Sequence, residues 1–530
     1  MSKLLMIFLS FLTLIEHSGG YKILVWSPTI SKSHMIQNGR LADALAKDGH
    51  NVTVLETDVV ELPGSLKVVK HANLWTETFD WPERERILSK NLDLLSYGVL
   101  NGIGHMDAIN RKSGESCLAL LRDRRIIQKI AAEKFDVIIF GQFDVCPFVI
   151  AHMLNISVKI WMSSCPIIEH QATLVGIPAE FSYVPAAING FTGDRMTIIE
   201  RFWNIVKRFG QSYSYLKYWD EFYAKLKLEY DGDITHPIDL AKTTDLVFIN
   251  TDELLDFPRP LPPNVIHIGG FGMDKVDTTL TKEYEALMSE GKEGIVYFSF
   301  GSIVPTNSLP QTYRKNIIDS FGRLKDYFFI MKISENDKFS AGYAKGFKNV
   351  FISSWAPQTA ILAHPRTKLF ITHGGYNSIM EASRFSVPLL LIGMFSDQPR
   401  NSKLVERNGW GLSLDKRSLL YGTEEFEGRI QELLTNLTYK QNAIRITNLA
   451  KTKPQTGEQR LLSYVRFLES NGGHLPELKT IASDLSLIEY LNLDVLAATL
   501  LFIILIAATV VYVIRKTLPI VVNVAKRKIE

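Results

Sequence analysis

Residues Asn349–Gln398 read NVFISSWAPQTAILAHPRTKLFITHGGYNSIMEASRFSVPLLLIGMFSDQ. Within this stretch, the short apolar run Lys368–Thr372 predicts a buried strand, and His373-Gly374-Gly375 follows it with the two glycines that a tight strand-to-helix turn requires. A helix is predicted to begin near Asn377. Its first turn offers unpaired backbone amides and the positive end of the helix dipole, which favour a phosphate group by roughly 0.3–2 kcal/mol. The stretch therefore predicts an α/β fold with an anion site at a helix N-terminus.

Polar side chains surround this turn. His373, Asn377 and Ser378 could add side-chain donors to the backbone amide of Gly375. Glu381 follows Asn377 by four residues, so on a helix it lies on the same face one turn further along. A carboxylate at that position suits the hydroxyls of a ribose.

Further residues complete a predicted nucleotide-sugar site. Trp355 offers a flat face on which uracil can stack, a contact worth about 1–3 kcal/mol in single-stranded nucleic-acid sites, and Gln358 can bond a base or ribose edge. Asp397 and Gln398 follow another predicted strand and suit the hydroxyls of a hexose. Ser302, after a third predicted strand, could meet the diphosphate from the opposite side.

The order of these motifs resembles the signature of the UDP-glycosyltransferases, specifically the membrane-bound UDP-glucuronosyl/glucosyltransferase type. The signature runs through W-x-P-Q, H-P, F-I-T-H-G-G-x-N-S, E-A, V-P and D-Q. The resemblance covers nearly the whole chain because four more segments also look like the family: Phe181-Ser182-Tyr183-Val184-Pro185, Gly193-Asp194-Arg195-Met196, Asp256-Phe257-Pro258-Arg259-Pro260 and Gly269-Gly270. Two positions depart from the signature, Ser386 where a glycine is common and Gly393 where a proline is usual.

The resemblance implies a GT-B fold, in which two doubly wound, Rossmann-like domains face a cleft with the acceptor in the N-terminal half and the donor in the C-terminal half. The opening strand-helix-strand pattern over residues 22–55 independently predicts a parallel sheet. The proline-rich stretch 258–263 is the candidate linker. The predicted division is a signal peptide at 1–20, an acceptor-binding domain at 21–262, a UDP-sugar-binding domain at 263–492, a transmembrane helix at 493–514 and a cytosolic basic tail at 515–530.

The resemblance also implies a general base, His34, in the loop before a helix predicted from Met35. The positive helix end there is expected to favour a neutral imidazole. In the family, an acidic residue commonly follows the third strand of the N-terminal half. This strand is predicted at residues 137–140 here, and Gly141 follows it. Asp144, three residues later, is the predicted replacement behind the base. Two alternatives remain if Asp144 does not take this role. Either His34 works without a carboxylate, or the enzyme has reduced activity.

Departure of UDP is expected to be eased by His373, Ser302 and the helix N-terminus, so neither a cofactor nor a metal is expected and the UDP-sugar is a co-substrate. Attack opposite the leaving group predicts inversion. The D-x-D at residues 231–233 lies in a polar loop with no strand before it, which does not favour a metal role. Helical, aromatic and basic residues at 195–230 are predicted to form the acceptor-domain wall and could rest on a bilayer.

Composition and the chain ends predict a type I membrane protein whose bulk lies in the lumen. The chain has 530 residues, 46% hydrophobic and 22% charged, and its net charge of +3 is dispersed, so a nucleic-acid partner is not predicted. Residues 1–20 have the pattern of a signal peptide. The uncharged run 495–514 is long enough to span a membrane, and the following Arg515 and Lys516 place the C-terminus in the cytosol. Lys526 and Lys528 resemble a dilysine signal for the endoplasmic reticulum; a basic stop-transfer flank is the alternative.

Lumenal placement would expose three sequons, at Asn51, Asn155 and Asn436, to glycosylation. The three cysteines are too few and too unevenly spaced to predict a disulfide framework or a zinc site, so stability is expected to come from a large core.

The predicted function is transfer of glucuronic acid or glucose from UDP-glucuronate or UDP-glucose to small lipophilic acceptors, as in conjugation of foreign compounds, by a type I enzyme of the endoplasmic reticulum membrane with lumenal domains. The alternatives are a non-catalytic or reduced-activity UDP-sugar-binding membrane protein, and a transferase that acts on lipids or proteins. A homo-oligomer is compatible with a single-span enzyme, although no residue pattern requires it.

Overall fold

The computed structural model describes residues 20–60, 69–82, 94–95, 99–230, 232–273, 277–302 and 304–528. These residues contain two sheets in which every strand pairing is parallel. The first sheet has the order β3-β2-β1-β4-β5-β6-β7, with β1 (Lys22–Pro28), β2 (Asn51–Thr57), β3 (Asn73–Glu77), β4 (Val137–Gly141), β5 (Val158–Ser163), β6 (Leu246–Ile249) and β7 (Val265–His267). The second has the order β10-β9-β8-β11-β12-β13, with β8 (Gly294–Ser299), β9 (Tyr327–Lys332), β10 (Val350–Ser353), β11 (Thr367–Thr372), β12 (Leu389–Leu391) and β13 (Gly411–Ser413).

Helices connect the strands, as parallel pairing requires. In the first half they are α1 (Lys32–Lys47), α2 (Val99–Arg122), α3 (Arg124–Glu133), α4 (Cys146–Met153), α5 (Glu169–Leu174), α6 (Ile198–Glu229) and α7 (Pro237–Lys242). They continue with α8 (Lys282–Met288), α9 (Gln311–Arg323), α10 (Lys338–Tyr343), α11 (Gln358–Ala363), α12 (Tyr376–Arg384), α13 (Gln398–Arg407), α14 (Ser418–Tyr421), α15 (Glu424–Thr435), α16 (Leu437–Lys451) and α17 (Gly457–Ser470). Short 3₁₀ turns lie at Thr306–Ser308, Ala344–Gly346, Pro476–Leu478 and Ile481–Ser483.

Each sheet is covered on both faces. Successive residues of β1 alternate, since Ile23 and Val25 pack into one apolar cluster while Leu24 and Trp26 pack into another. The second sheet likewise has two clusters, with Val296 in one and Tyr297 in the other. Strands buried on both sides read as continuous apolar runs, which is why the sequence reveals them.

The predicted domain boundary at 262/263 divides the first sheet and needs correction. Strand β7, at Val265–His267, pairs with β6 and therefore belongs to the N-terminal half. Helix α17 also returns to that half, where Leu461, Val465 and Leu468 pack with Ile23. The described residues up to Lys479 form one compact unit, which contains both sheets despite the proline-rich segment.

A disulfide joins Cys117 on α2 to Cys146 at the start of α4, with the two Cα atoms 5.4 Å apart. The cysteine count and spacing do not predict this single cross-link, and Cys165 is free and buried. Their 29-residue separation gives no local signal, because α2, α3 and β4 must pack before the two thiols meet.

The second compact unit, Thr480–Glu530, contains α18 (Leu487–Tyr490) and the long helix α19 (Leu493–Arg527). Its segment Leu493–Ala525 is long and apolar enough to cross a membrane. The predicted helix ends at residue 514. The observed helix is longer and continues through Arg515, Lys516 and an internal Pro519. The predicted signal peptide lies outside the described residues except for Gly20.

Candidate functional site

Both predicted ligand sites lie at the points where strand order reverses. In the first sheet, β1 and β4 are neighbours, and the loops that leave their carboxyl ends carry His34 and Asp144. In the second sheet, β8 and β11 are neighbours, and their following loops carry Ser302 and His373. Ligands of doubly wound sheets bind outside the carboxyl ends of strands at such switch points.

His34 lies in the first turn of α1, which begins at Lys32 rather than near Met35. The N-cap of this helix is Ser31, whose Oγ lies 2.5 Å from His34 Nδ1. The ring meets the edge of Phe143 with their centroids 6.0 Å apart. Burial lowers the pKa of His34 to about 4, so the imidazole is neutral at physiological pH and can accept a proton.

The pocket beside His34 combines apolar walls with polar groups. Its lining residues come from the ends of β1, β4 and β5 and from α1: Pro28, Ile30, His34, Gln37, Asn38, Gly141, Gln142, Phe143, Asp144, Met162 and Ser164. Such a mixture suits an apolar molecule that presents one reactive polar group.

Asp144 lines this pocket, but the hydrogen bonds of its carboxylate go to other residues than His34. Oδ2 accepts from Trp26 Nε1 at 2.6 Å, and Oδ1 accepts from the Cys146 backbone N–H at 2.9 Å and from Ser113 Oγ at 3.3 Å. Burial raises the pKa of Asp144 to about 6. In this structure Asp144 therefore orders the β4–α4 loop, and the hydroxyl of Ser31 occupies the position at His34 Nδ1.

Gly141 ends β4 and lines the same pocket. A Cβ atom added there would meet no atom within 4 Å. The position where the family commonly has an acid is therefore open, and nothing in the packing requires a glycine.

The turn that is predicted to bind phosphate has the predicted backbone form. Gly374 has φ +86°, which favours glycine, and its carbonyl oxygen accepts from Asn401 Nδ2 at 3.0 Å. Gly375 is the N-cap of α12, whose nine residues begin at Tyr376, one position before the prediction. The first-turn amides therefore point out of the carboxyl end of β11.

His373 packs between two glycines. A Cβ atom at Gly301 would lie 2.6 Å from His373 Cε1, and one at Gly375 would lie 2.7 Å from Nε2. Burial, with a contribution from Lys332, lowers the pKa of His373 to about 4. A neutral ring can donate one hydrogen bond to a phosphate oxygen without carrying charge.

Lys332 is a candidate site residue that the sequence analysis missed. It ends β9, and its Nζ donates to the Gly301 carbonyl oxygen at 3.3 Å. Burial and the charge of Lys32 lower the pKa of Lys332. The signal available in the sequence was a lysine that directly follows the apolar run 327–331, but the pairing of that strand with β8 is not readable from sequence.

Gln358 contacts two other side chains predicted to bind the donor. Gln358 Nε2 donates to Glu381 Oε2 at 2.8 Å and to Ser378 Oγ at 3.3 Å. Burial raises the pKa of Glu381, and the nearby Arg40 of the first half opposes that rise. Hydrogen bonds from the side chains of Gln358 and Thr359 also oppose that rise, so the carboxylate is held by two neighbouring residues of α11.

Trp355 and Asn377, two further predicted donor-site residues, differ in their surroundings. The Trp355 side chain is 65% exposed, while its carbonyl oxygen accepts from Tyr284 Oη at 2.7 Å. Asn377 Oδ1 accepts from Asn250 Nδ2 at 3.1 Å, which connects α12 to the first half. The indole is thus held at its backbone and open on its ring, as a stacking surface must be.

The Asp397-Gln398 pair begins α13. Gln398 Oε1 accepts from the backbone amides of Met394 at 3.0 Å and Phe395 at 3.2 Å, so this oxygen shapes the loop. Asp397 Oδ2 accepts from Asn401 Nδ2 at 2.7 Å, and burial raises the pKa of Asp397 to about 6. Ser302, by contrast, is exposed after β8.

Both departures from the signature have a structural setting. A Cβ atom at Gly393 would lie 2.8 Å from the backbone nitrogen of Pro399, so the usual proline would not fit this loop. Ser386 has φ +57°, the conformation that a glycine adopts easily, and its hydroxyl lies 2.7 Å from Thr447 Oγ1.

No group of three potential metal ligands occurs in the part of the chain that the structure describes, which leaves out Asp231 of the D-x-D. The sequons at Asn51, Asn155 and Asn436 are all exposed.

Comparison with known proteins identifies the family. Residues 21–528 match the model of the family described as "UDP-glucoronosyl and UDP-glucosyl transferase". A Caenorhabditis elegans protein named as a UDP-glucuronosyltransferase, ugt-47, is 34% identical over 500 residues, which cover 92% of this chain and 91% of the relative. UDP-glucuronosyltransferase 1A9 of Mus musculus is 27% identical over 500 residues, with 91% and 89% covered.

A solved structure supports the fold. The crystal structure of UDP-glucose: anthocyanidin 3-O-glucosyltransferase in complex with UDP superimposes with a TM-score of 0.54 at 14% identity, and the match covers 85% of this chain and 99% of that chain. The predicted GT-B architecture of two doubly wound halves is confirmed. The chain therefore belongs to the UDP-glucuronosyl and UDP-glucosyl transferase family and is a UDP-glycosyltransferase.

Proposed function

We propose that this enzyme transfers glucuronic acid or glucose to the hydroxyl group of small lipophilic acceptors, with His34 as the general base and inversion at the anomeric carbon. The observation that supports it most is the position of a neutral, half-buried His34 in a largely apolar pocket at the switch point of the first sheet. The glycine-lined turn at His373 occupies the matching position in the second sheet.

In the proposed step, His34 Nε2 takes the acceptor hydroxyl proton as the oxygen attacks the anomeric carbon. The bond between that carbon and the β-phosphate oxygen breaks, and UDP leaves with the electron pair. Charge on the diphosphate is stabilised by the amides at the start of α12, by His373 and by Lys332. Trp355 stacks on uracil, Gln358 and Glu381 bind the nucleoside, and Asp397 and Gln398 contact hexose hydroxyls.

The direct test is transfer of radiolabel from UDP-glucuronate and from UDP-glucose, offered separately to microsomes with a panel of phenols. Label in small organic-soluble products supports the proposal and identifies the donor. Label in lipids or proteins would favour the alternative acceptors. Binding of UDP without label transfer would favour a non-catalytic UDP-sugar-binding protein.

Gly141 stands where the family commonly has an acidic residue, which favours the alternative of reduced activity. A substitution at this position tests that alternative. Gly141→Asp should raise kcat by about tenfold or more, because a carboxylate in the His34 pocket can stabilise the imidazolium that forms during proton transfer. The added Cβ atom has no atom within 4 Å, so the variant should fold. Gly141→Asn is the uncharged control of matching size. Equal rates for both variants would show that the charge has no role.

The N-terminal half of α6 supports a bilayer contact. This half exposes apolar side chains while its buried positions are polar, the reverse of a water-exposed helix. The exposed set is Ile198, Ile199, Phe202, Trp203, Ile205, Phe209 and Tyr213. The buried set binds loop carbonyls: Asn204 Nδ2 donates to Phe181 and Val184, Lys207 Nζ to Asn189, Arg208 Nη1 to Glu180 and Val184, and Gln211 Nε2 to Ile188.

A contiguous apolar face of this kind indicates a partner or a membrane, and the chain itself carries a membrane-spanning candidate helix. We therefore assign the face to a lipid bilayer, from which lipophilic acceptors could enter. The basic residues after the span and the dilysine pattern support a type I orientation in the endoplasmic reticulum, with both sheets in the lumen.

In vesicles that contain brominated phospholipid, Trp203→Phe should remove a measurable share of the lipid-dependent quenching of tryptophan fluorescence. Trp203 is 46% exposed on the apolar face of α6, so its ring would reach the acyl chains. Trp355→Phe, which changes a more exposed indole in the donor site, is the matched control and should leave the quenched share unchanged. Identical quenching in wild type and Trp203→Phe would contradict the assignment.

A further inference from the structure

Ser31 makes the side-chain hydrogen bond to the imidazole of His34. Its Oγ lies 2.5 Å from His34 Nδ1 and 3.1 Å from Ser33 Oγ, and it accepts the backbone N–H of His34 at 3.4 Å as the N-cap of α1. Ser31 is 5% exposed, so little water competes for this contact. One hydroxyl therefore both caps the helix and contacts the ring.

In the part of the chain that the structure describes, no carboxylate takes the place of Ser31 at the His34 ring. Gly141 has no side chain, and the carboxylate of Asp144 accepts from Trp26, Ser113 and Cys146. The hydrogen bond at one ring nitrogen decides which tautomer a neutral histidine adopts. Ser31 is thus the residue placed to decide it here.

We propose that Ser31 is the positioning residue of the general base. Its oxygen accepts the Nδ1–H of His34 while its own hydrogen goes to Ser33 Oγ, so Nε2 keeps a free lone pair for the acceptor hydroxyl. This inference rests on the proposed role of His34 in glycosyl transfer.

A hydroxyl and a carboxylate differ in what they can do for the base. Both fix the tautomer and the ring orientation, but only a carboxylate adds charge that stabilises imidazolium. The pKa of His34 is lowered by burial alone, to about 4, which fits a neutral partner. The ionisable groups nearest this ring along the chain and in its pocket are Lys32 on α1 and Asp144 on the β4–α4 loop.

The test compares three substitutions at position 31 in the full-length enzyme. Ser31→Gly removes the hydroxyl but leaves a residue that helices accept well at the N-cap, so the fold should tolerate the change. It should lower kcat by about tenfold or more, within the roughly 10²–10⁴-fold that a general base supplies, and should leave UDP affinity unchanged. Ser31→Thr, which restores a hydroxyl, should recover most of the loss.

Ser31→Asp adds the readout that a purely structural role would not change. A carboxylate at this distance should stabilise imidazolium and move the acid limb of the kcat profile upward by about one pH unit or more. Thr456→Gly is the matched control, because it removes an N-cap whose hydroxyl accepts a backbone amide at 3.2 Å on α17, away from His34.

Wild-type kcat in Ser31→Gly, an unmoved acid limb in Ser31→Asp, or an equal loss in Thr456→Gly would each overturn the positioning role. Full activity in His34→Ala is a different result, because it would overturn the proposed function itself. Calorimetric titration with UDP on every variant shows that the donor half is intact.

Discussion

Replacement of His34 by alanine is expected to lower kcat by about 10²–10⁴-fold at saturating donor and acceptor, because the acceptor hydroxyl then loses its proton without a positioned base. The affinity for UDP should not change, since His34 lies at the first sheet while the residues proposed to bind the nucleotide lie at the second. The measurement is steady-state transfer in microsomes, with protein amount fixed by immunoblot. His71→Ala is the matched control, because His71 is an exposed histidine of the same half.

The pH dependence of kcat is a second test of His34 as the general base. A base works only when it is neutral, so the rate is lost as the pH falls through the pKa of His34. With a pKa of about 4, most of the rate should survive at pH 5, whereas a histidine at its ordinary value would retain about 3%. The donor must be saturating, because Asp397, with a pKa of about 6, changes charge in the same range and could alter donor affinity. An acid limb near pH 6.5 would contradict the lowered pKa of the half-buried ring.

The sequence predicted the parts of the donor half that depend on neighbouring residues. The buried strand, the two glycines and the helix start of the His373 turn all lie within ten residues, and the structure differs from the predicted helix start by one position. Local patterns of this kind are readable because burial and backbone conformation are both encoded in residue type.

The remaining features depend on contacts between distant segments. The carboxylate of Asp144 is bound by Trp26, 118 positions away, so its orientation could not be read from the β4–α4 loop. Strand β7 has only three residues and follows a proline-rich segment. Hydrophobic periodicity therefore could not show to which of the two sheets this strand belongs. Helix α17 packs on the first sheet more than 400 residues after β1, and no local pattern reports such a return.

Replacement of Trp355 by alanine should weaken UDP binding by about 5- to 150-fold, which corresponds to the roughly 1–3 kcal/mol that a base gains by stacking on an aromatic side chain. The indole is 65% exposed and its backbone is held by Tyr284, so the truncation removes a ligand contact without opening a cavity in the core. Isothermal titration with UDP measures the change. Tyr421→Ala, at an 83% exposed aromatic residue in the same half, is the control and should bind UDP like wild type.

The kinetic pattern of Trp355→Ala distinguishes binding from chemistry. Uracil is remote from the bond that breaks, so a stacking contact stabilises the ground state and the transition state equally. The variant should therefore raise the KM for the donor while kcat at saturation stays near that of wild type. His34→Ala should show the opposite pattern, with kcat reduced and donor affinity preserved. If Trp355→Ala instead lowered kcat with unchanged UDP affinity, the indole would not be the uracil-binding surface and the assignment of the donor site would fail.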